Sequence, residues 1–261
     1  MHSGLPALDD PDLERRFGGL RRLYGDAGYQ RLRGAHVAVV GLGGVGSWAV
    51  EALARSGVAA LTLIDLDQVA ESNINRQVQA LGHTVGLAKV EALRQRIADI
   101  HPGCAVTLVE DFVTPDNWPQ LLPGPVDALI DACDHSRAKQ ALASWALVQG
   151  VPIVTVGAAG GKQRPQAVEL ADLADTTHDP LLAGLRQRLR QAGVAPRKGA
   201  IGLRCVFSRE AVAAPVDAAC APDGSLNCQG YGSTVTVTAT FGLVAAGEVI
   251  RGLAKEFSKK T

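Results

Sequence analysis

The chain has 261 residues, 26 basic against 26 acidic side chains, 47% apolar residues and 4% aromatics. This balance excludes a disordered or fibrous chain and leaves ample length to bury a core, in one large domain or two small ones. Zero net charge removes long-range attraction to a polyanion as the default and leaves room for a local basic patch.

Residues 1–14, with His2, Pro6, Asp9, Asp10 and Asp12, lack a basic start followed by an apolar core, so they read as a loose tail and not a secretory signal. His36–Val40 is a short apolar run suited to a strand buried on both faces. A glycine-rich turn follows. From Gly44 to Ser56 helix formers dominate, with Trp48, Ala52 and Arg55 at helical spacing and Gly57 as the stop. Residues 59–64 make a second strand ending at Asp65, which completes a parallel strand–helix–strand unit with a right-handed crossover.

The alternation continues with a helix over 89–100 stopped by Pro102, strands at 105–109 and 126–130, a helix over 136–149 and a strand at 151–156. Beyond Gly157 it weakens, with short strands at 166–170 and 203–207, a helix over 180–192 and a long apolar helix over 233–253. The expectation is an α/β, Rossmann-like doubly wound sheet, mainly parallel in its first half and mixed, with an antiparallel part, in an irregular second half. Ligand sites on such sheets lie at the carboxyl ends of the strands.

Gly41-Leu42-Gly43-Gly44-Val45-Gly46 fits GxGxxG between strand and helix, where backbone N–H groups and the helix dipole favour phosphate. Asp65, 19 residues beyond Gly46, is placed to accept hydrogen bonds from ribose hydroxyls. This pair alone fits a redox dinucleotide as well as another nucleotide. Asn73, Arg76 and Lys89 follow, and a redox dinucleotide has no need of them. A triphosphate of roughly four negative charges, held for attack at phosphorus, does need an amide, a guanidinium fork and an ammonium. The competing reading makes Arg76 and Lys89 ordinary surface charges. Asp131-Ala-Cys-Asp134 closes the next strand at the same sheet edge, where one carboxylate can hold Mg2+ or Asp134 can cap the following helix.

GLGGVGS, DLDQVAESNINRQ, VGLAKVE and DACDH, in this order, resemble the superfamily of ATP-dependent adenylating enzymes that includes ubiquitin-activating enzymes and their thiamine- and molybdopterin-pathway relatives. RFGGLRRLYG, DFVTPDN, GAAGG, CVFSREAV and YGSTVTVTATFG narrow the resemblance to one subfamily, the tRNA threonylcarbamoyladenosine dehydratases. The CxxC pairs general among the thiamine and molybdopterin enzymes are missing here.

The resemblance implies a single ThiF-like adenylating domain over 15–261. It implies MgATP as cofactor and a carboxylate of tRNA-borne threonylcarbamoyladenosine as the group adenylated. It places Gly41, Gly43, Gly44, Gly46, Asp65 and Asn73 against the nucleotide, with Arg76, Lys89 and Asp134 as catalytic groups and Asp134 on the metal. It also implies a homodimer in which an N-terminal arginine reaches the partner's ATP. Gly19 stands at the aligned position, so Arg16 or Arg22 would substitute. The rival readings are adenylation of a ubiquitin-like sulfur carrier, an NAD-dependent oxidoreductase, and a noncatalytic adaptor for a cysteine desulfurase.

From Leu181 to Arg209 the chain carries seven basic residues and no acidic one. Arg186, Arg188, Arg190, Arg197 and Lys198 are either a solvated face or, given the implied tRNA substrate, contacts to its phosphate backbone. Cys220 and Cys228 are either small unpaired residues or sulfur acceptors beside a desulfurase. Five cysteines without a CxxC pair fit a reduced, cytoplasmic protein. Residues 234–250 are apolar enough to raise membrane contact, but four threonines and Glu248 favour a buried helix.

Overall fold

The computed structural model describes residues 12–213 and 231–255. Its order is α1 (Leu13–Phe17), α2 (Gly19–Gly34), β1 (His36–Val40), α3 (Gly46–Arg55), β2 (Ala60–Ile64), α4 (Lys89–Ile100), β3 (Ala105–Val109), β4 (Ala128–Asp131), α5 (Ser136–Gln149), β5 (Ile153–Val156), β6 (Val168–Asp172), α6 (Pro180–Gln191), β7 (Arg204–Ser208) and α7 (Val235–Lys255). The strands form one sheet in the order β3-β2-β1-β4-β5-β7-β6. All neighbours are parallel except β6 and β7, so the antiparallel pairing expected of the second half is confined to one edge.

The continuous apolar runs follow from burial on both faces. In β1, Val37 and Val39 enter the core beneath α2, α3, α4 and α7, whereas Ala38 and Val40 enter the core beneath α5 and α6. Helix α7 packs on α3, on α2 and across the sheet. Over its most apolar window it is 56% buried, and it serves as a core helix of this fold. Gly242 permits the α7–α3 crossing, since a Cβ there would lie 2.3 Å from the Val45 carbonyl oxygen.

Two expectations require correction at the N-terminus. The loose tail does not extend to residue 14, because Asp12 caps α1 by accepting a hydrogen bond from the Arg15 amide at 3.0 Å. Residues 19–34, for which the sequence suggests no element, form α2, which is interrupted at Gly25 where φ is +73°. Phe17 anchors this segment by packing its ring, tilted by 54°, against His101 at 4.8 Å, under the Arg33 guanidinium. Helix α3 also begins two residues later than the composition suggests, because Gly44 and Val45 remain in the turn. Cys220, Cys228 and residues 1–11 lie outside the described residues.

Arg33 Nη1 lies 2.7 Å from His101 Nε2, which therefore accepts, leaving Nδ1 to carry the proton without a partner among the described residues. Burial, reinforced by the Arg33 and Arg16 cations, pushes His101 down to about 4 from its ordinary 6.5. The folded state thus binds fewer protons than the unfolded chain. The stability this group permits is complete above about 6.5 and is lost as pH falls towards 4. Thermal midpoints should fall across this window, and His101→Gln, which keeps an acceptor but does not titrate, should fall less steeply. Equal slopes would show that His101 does not drive the loss.

Candidate functional site

A cavity of about 600 Å³ opens at the carboxyl ends of β1, β2, β4 and β5, between the glycine turn and the segments following β3 and β5. The four glycines of the turn serve different ends. Gly41 has φ +83°, and a Cβ there would lie 2.8 Å from the Cys133 amide nitrogen. At Gly46 a Cβ would fall 1.8 Å from the Gly41 carbonyl oxygen, which makes Gly46 a packing residue outside the cavity wall. A Cβ at Gly44 would lie 3.2 Å from Arg76 Cγ, and one at Gly43 would meet nothing within 4 Å. Gly43 and Gly44 thereby present bare backbone to the cavity.

Asp65 braces this turn from below. Its Oδ2 accepts the Leu42 amide hydrogen at 2.6 Å and its Oδ1 accepts that of Asp67 at 2.8 Å. Burial raises its pKa, against the opposing pull of Lys89 and the two backbone donors. Lys89, at the first position of α4, lies with Nζ 2.6 Å from Asp67 Oδ2 and 3.8 Å from Asp65 Oδ1. Trp48 Nε1 donates to the Arg76 carbonyl at 3.0 Å and so fixes that backbone beside the turn. Arg76 Nη1 donates to the Ser72 carbonyl at 2.8 Å and to Asn75 Oδ1 at 3.0 Å, which leaves Nε and Nη2 without partners among the described residues. Burial lowers the Arg76 pKa, as expected for a cation awaiting a counter-charge.

Asn73 lies apart from these groups. It is buried outside the cavity wall, and its Oδ1 accepts the Ala70 amide hydrogen at 3.0 Å, closing the short turn that presents Arg76. Asp131 and Asp134 also separate. Asp131 is fully buried and paired with Lys139 at 2.9 Å, while Lys139 also donates to the Val156 carbonyl at 2.9 Å. Asp134 is exposed on the cavity wall. It does not cap α5, because His135 Nδ1 accepts the Ala138 amide hydrogen and fills that role. Cys133 borders the cavity, but burial and the neighbouring Asp131 raise its thiol pKa, which disfavours a thiolate nucleophile.

Among the described residues no cluster of three or more His, Cys, Asp and Glu could hold a metal unaided. The cavity wall nevertheless sets Arg76 and Lys89 against Asp65, Asp67, Asp111 and Asp134. An anionic ligand would need an added cation there. One exposed carboxylate fits Mg2+, which completes its shell from phosphates and water.

The basic stretch is partly internal. Arg186 Nη1 donates to the Leu173 and Thr176 carbonyls, each at 3.0 Å, and Arg188 donates to the Ser136 carbonyl at 3.4 Å. Arg190 reaches the Gly199 carbonyl at 3.4 Å, while Arg204 and Arg209 pair with Glu248 and Glu169. Arg197 and Lys198 are exposed in the loop after α6. Arg16 donates to the Asp99 and Ile100 carbonyls at 2.7 and 2.8 Å, and neither Arg16 nor Arg22 lines the cavity.

Gln77, Phe112, Thr114, Tyr231 and Thr238 join the cavity wall without having been singled out as site residues. Phe112 and Thr114 were findable, since they follow β3 at the ligand-binding edge of the sheet. The buried Asp131–Lys139 pair had no comparable sequence signal.

Residues 16–261 match the ThiF family. The tRNA threonylcarbamoyladenosine dehydratase of Escherichia coli K12 is 46% identical over 248 residues, covering 91% of this chain and 92% of that protein. The enzyme of the same name from Haemophilus influenzae is 41% identical, covering 94% and 95%. The crystal structure of the E. coli enzyme, TcdA, in complex with ATP matches with a TM-score of 0.86 at 44% identity, covering 97% of this chain and all of that one.

Two single-methyl variants separate packing from cavity wall. Gly46→Ala should lower the thermal midpoint sharply, because its methyl meets backbone, whereas Gly43→Ala should leave the midpoint within about 2 °C of wild type. Equal losses would contradict the different environments of the two glycines.

Proposed function

The chain belongs to the ThiF family, and on that premise we propose that it is the ATP-dependent dehydratase of threonylcarbamoyladenosine in tRNA. The carrying observation is the convergence of a bare glycine turn, Arg76, Lys89 and Asp134 on one cavity, in a chain similar over nearly its whole length to enzymes of that name. The threonyl carboxylate attacks the α-phosphorus of ATP, a P–O bond breaks, and pyrophosphate leaves. An internal nucleophile of the same modification then attacks the acyl carbon, and AMP departs with one former carboxylate oxygen. The cyclic product has lost the elements of one water.

We assign the backbone of Gly41, Gly43 and Gly44 to close approach of the nucleotide. Asp65 holds the ribose side as it braces the turn, and the segment Asp111–Thr114 borders the base. The unpartnered nitrogens of Arg76 support its role in holding phosphate. Lys89 supplies a second cation, poised by Asp67 until a phosphate competes for it. Asn73 and Gly46 act by shaping the turns that carry these groups. Asp134 is the residue to hold Mg2+, whose chemistry there is to offset the developing phosphate charge.

Arg197 and Lys198 are the exposed pair we assign to the tRNA backbone, with Arg190 beside them, while Arg186 and Arg188 hold that surface in shape. One adenylating domain over 15–261, a cytoplasmic setting and a homodimer supplying Arg16 or Arg22 across its interface belong to the same proposal. So does a cysteine desulfurase partner, on the strength of the resemblance alone. No CxxC pair supports the rival sulfur-carrier reading, and Arg76 and Lys89 have no evident task in a redox dinucleotide site.

Purified protein given MgATP and tRNA bearing threonylcarbamoyladenosine should remove one water from that nucleoside, read by mass after digestion. Arg76→Ala and Lys89→Ala should each lower kcat/KM by about 10²–10³-fold, the scale expected for removing a preorganised charge donor. An unchanged nucleoside mass, or carrier-dependent ATP–pyrophosphate exchange without tRNA, would overturn the assignment.

A further inference from the structure

The nucleotide reading uses the cavity wall built on β1, β2, β3 and β4 and leaves the opposite wall without a task. That wall consists of Gly157–Gly160 after β5, Pro180 and Leu181 at the start of α6, Val212, and Tyr231. Sheet order places β5 three strands from β2, so the carboxyl ends of the two strands are about 14 Å apart at roughly 4.8 Å per strand. A nucleotide whose ribose lies near Asp65 and whose phosphates lie at Arg76 spans the first part of that distance. The carboxylate that attacks its α-phosphorus must come from the β5 side.

This far wall is built and held in place. Asp179 accepts hydrogen bonds from the Ala158 amide at 2.8 Å and the Leu182 amide at 3.0 Å, which ties the loop after β5 to the first turn of α6. Gly161 donates to the Gly232 carbonyl at 2.9 Å and its carbonyl accepts from Ala213 at 2.8 Å. These bonds fix the neighbours of Tyr231 and Val212. A Cβ at Gly160 would lie 3.6 Å from Tyr231 Cβ, and one at Gly161 would lie 3.4 Å from Tyr231 Cδ1 and 2.6 Å from Val212 Cγ1. Gly161 also has φ +70°, a conformation that favours glycine. The tyrosine ring therefore lies against bare backbone at the cavity wall.

The chemistry of this wall differs from that of the phosphate side. Ala159, Leu181, Val212 and Tyr231 offer apolar surface and one aromatic face, with no cation beside them among the described residues of the wall. Such a surface suits a flat base taken out of its stack, and aromatic stacking is the common means of holding an unstacked base on a protein. We propose that Tyr231 is the stacking platform for the modified adenine of the acceptor nucleoside, in a slot shaped by Gly160, Gly161, Leu181 and Val212. The assignment rests on the tRNA dehydratase reading and adds a residue that holds the nucleoside presented to the α-phosphate.

The test is a Tyr231 series in the full chain, with ATP affinity from calorimetry and KM measured on tRNA bearing threonylcarbamoyladenosine. Tyr231→Leu keeps apolar bulk against the glycines and removes the stacking face. It should raise KM for the modified tRNA about ten- to hundredfold, the range set by base–aromatic stacking, while ATP affinity stays within about twofold. Tyr231→Phe and Tyr231→Trp should stay near wild type, because the ring and not the hydroxyl is required. Tyr231→Leu with an unchanged KM would overturn the platform, as would parallel loss of ATP affinity. Wild-type protein that left the modified nucleoside intact would instead overturn the parent reading.

Discussion

The buried carboxylate of Asp65 is the constraint on which the rest of the site depends. It stands at the end of β2 and ties together the glycine turn after β1, through Leu42, and the start of the next connection, through Asp67. Without it two amide hydrogens would lose their acceptor in a low-dielectric setting, at a cost of about 1–3 kcal/mol each. Lys89 is placed by the same arrangement, since it sits between Asp65 and Asp67. Asp65 thus sets the shape of the turn and, by holding the Asp67 amide, the place of the carboxylate that pairs with Lys89. Its own desolvation is the cost of that role.

The sheet converts this local order into a sequence of chemical tasks. The ends of β2 and β1 carry the glycine turn, Asp65 and Asp67, the segment after β4 carries the exposed Asp134, and the segment after β5 carries the opposite wall. Asp131 and Lys139 lock β4 to β5 from within, so the two halves of the cavity share a rigid floor. A buried pair of this kind is weak evidence for net stability, but loss of either partner would strand a charge and disturb both strands. On the other face, α7 closes the core by crossing α3 at Gly242.

The features legible in the sequence are those whose physics is local. A strand, a glycine turn and a helix N-terminus follow one another directly, and Asp65 and Lys89 fall at the ends of elements whose apolar periodicity is clear. Features that depend on distant partners were hidden. Asp131 and Asp134 are three residues apart in one motif, and only the inward course of β4 gives one to Lys139 and the other to the cavity. Arg186 looks like a free charge in sequence and is bound to the carbonyls that follow β6. Helix α2 has weak amphipathic patterning, and a glycine with φ +73° interrupts it, so neither its length nor its packing on α7 could be read. Tyr231 reaches the site only because β5 and α7 are neighbours in the fold.

Oxygen labelling tests most directly whether a carboxylate oxygen attacks the α-phosphorus of ATP, displacing pyrophosphate, before the ring closes. Modified tRNA carrying 18O in its threonyl carboxylate would be turned over once, and the released AMP and pyrophosphate weighed. One labelled oxygen in AMP and none in pyrophosphate is the predicted result. Unlabelled AMP accompanying a dehydrated nucleoside, or label in pyrophosphate, would contradict it.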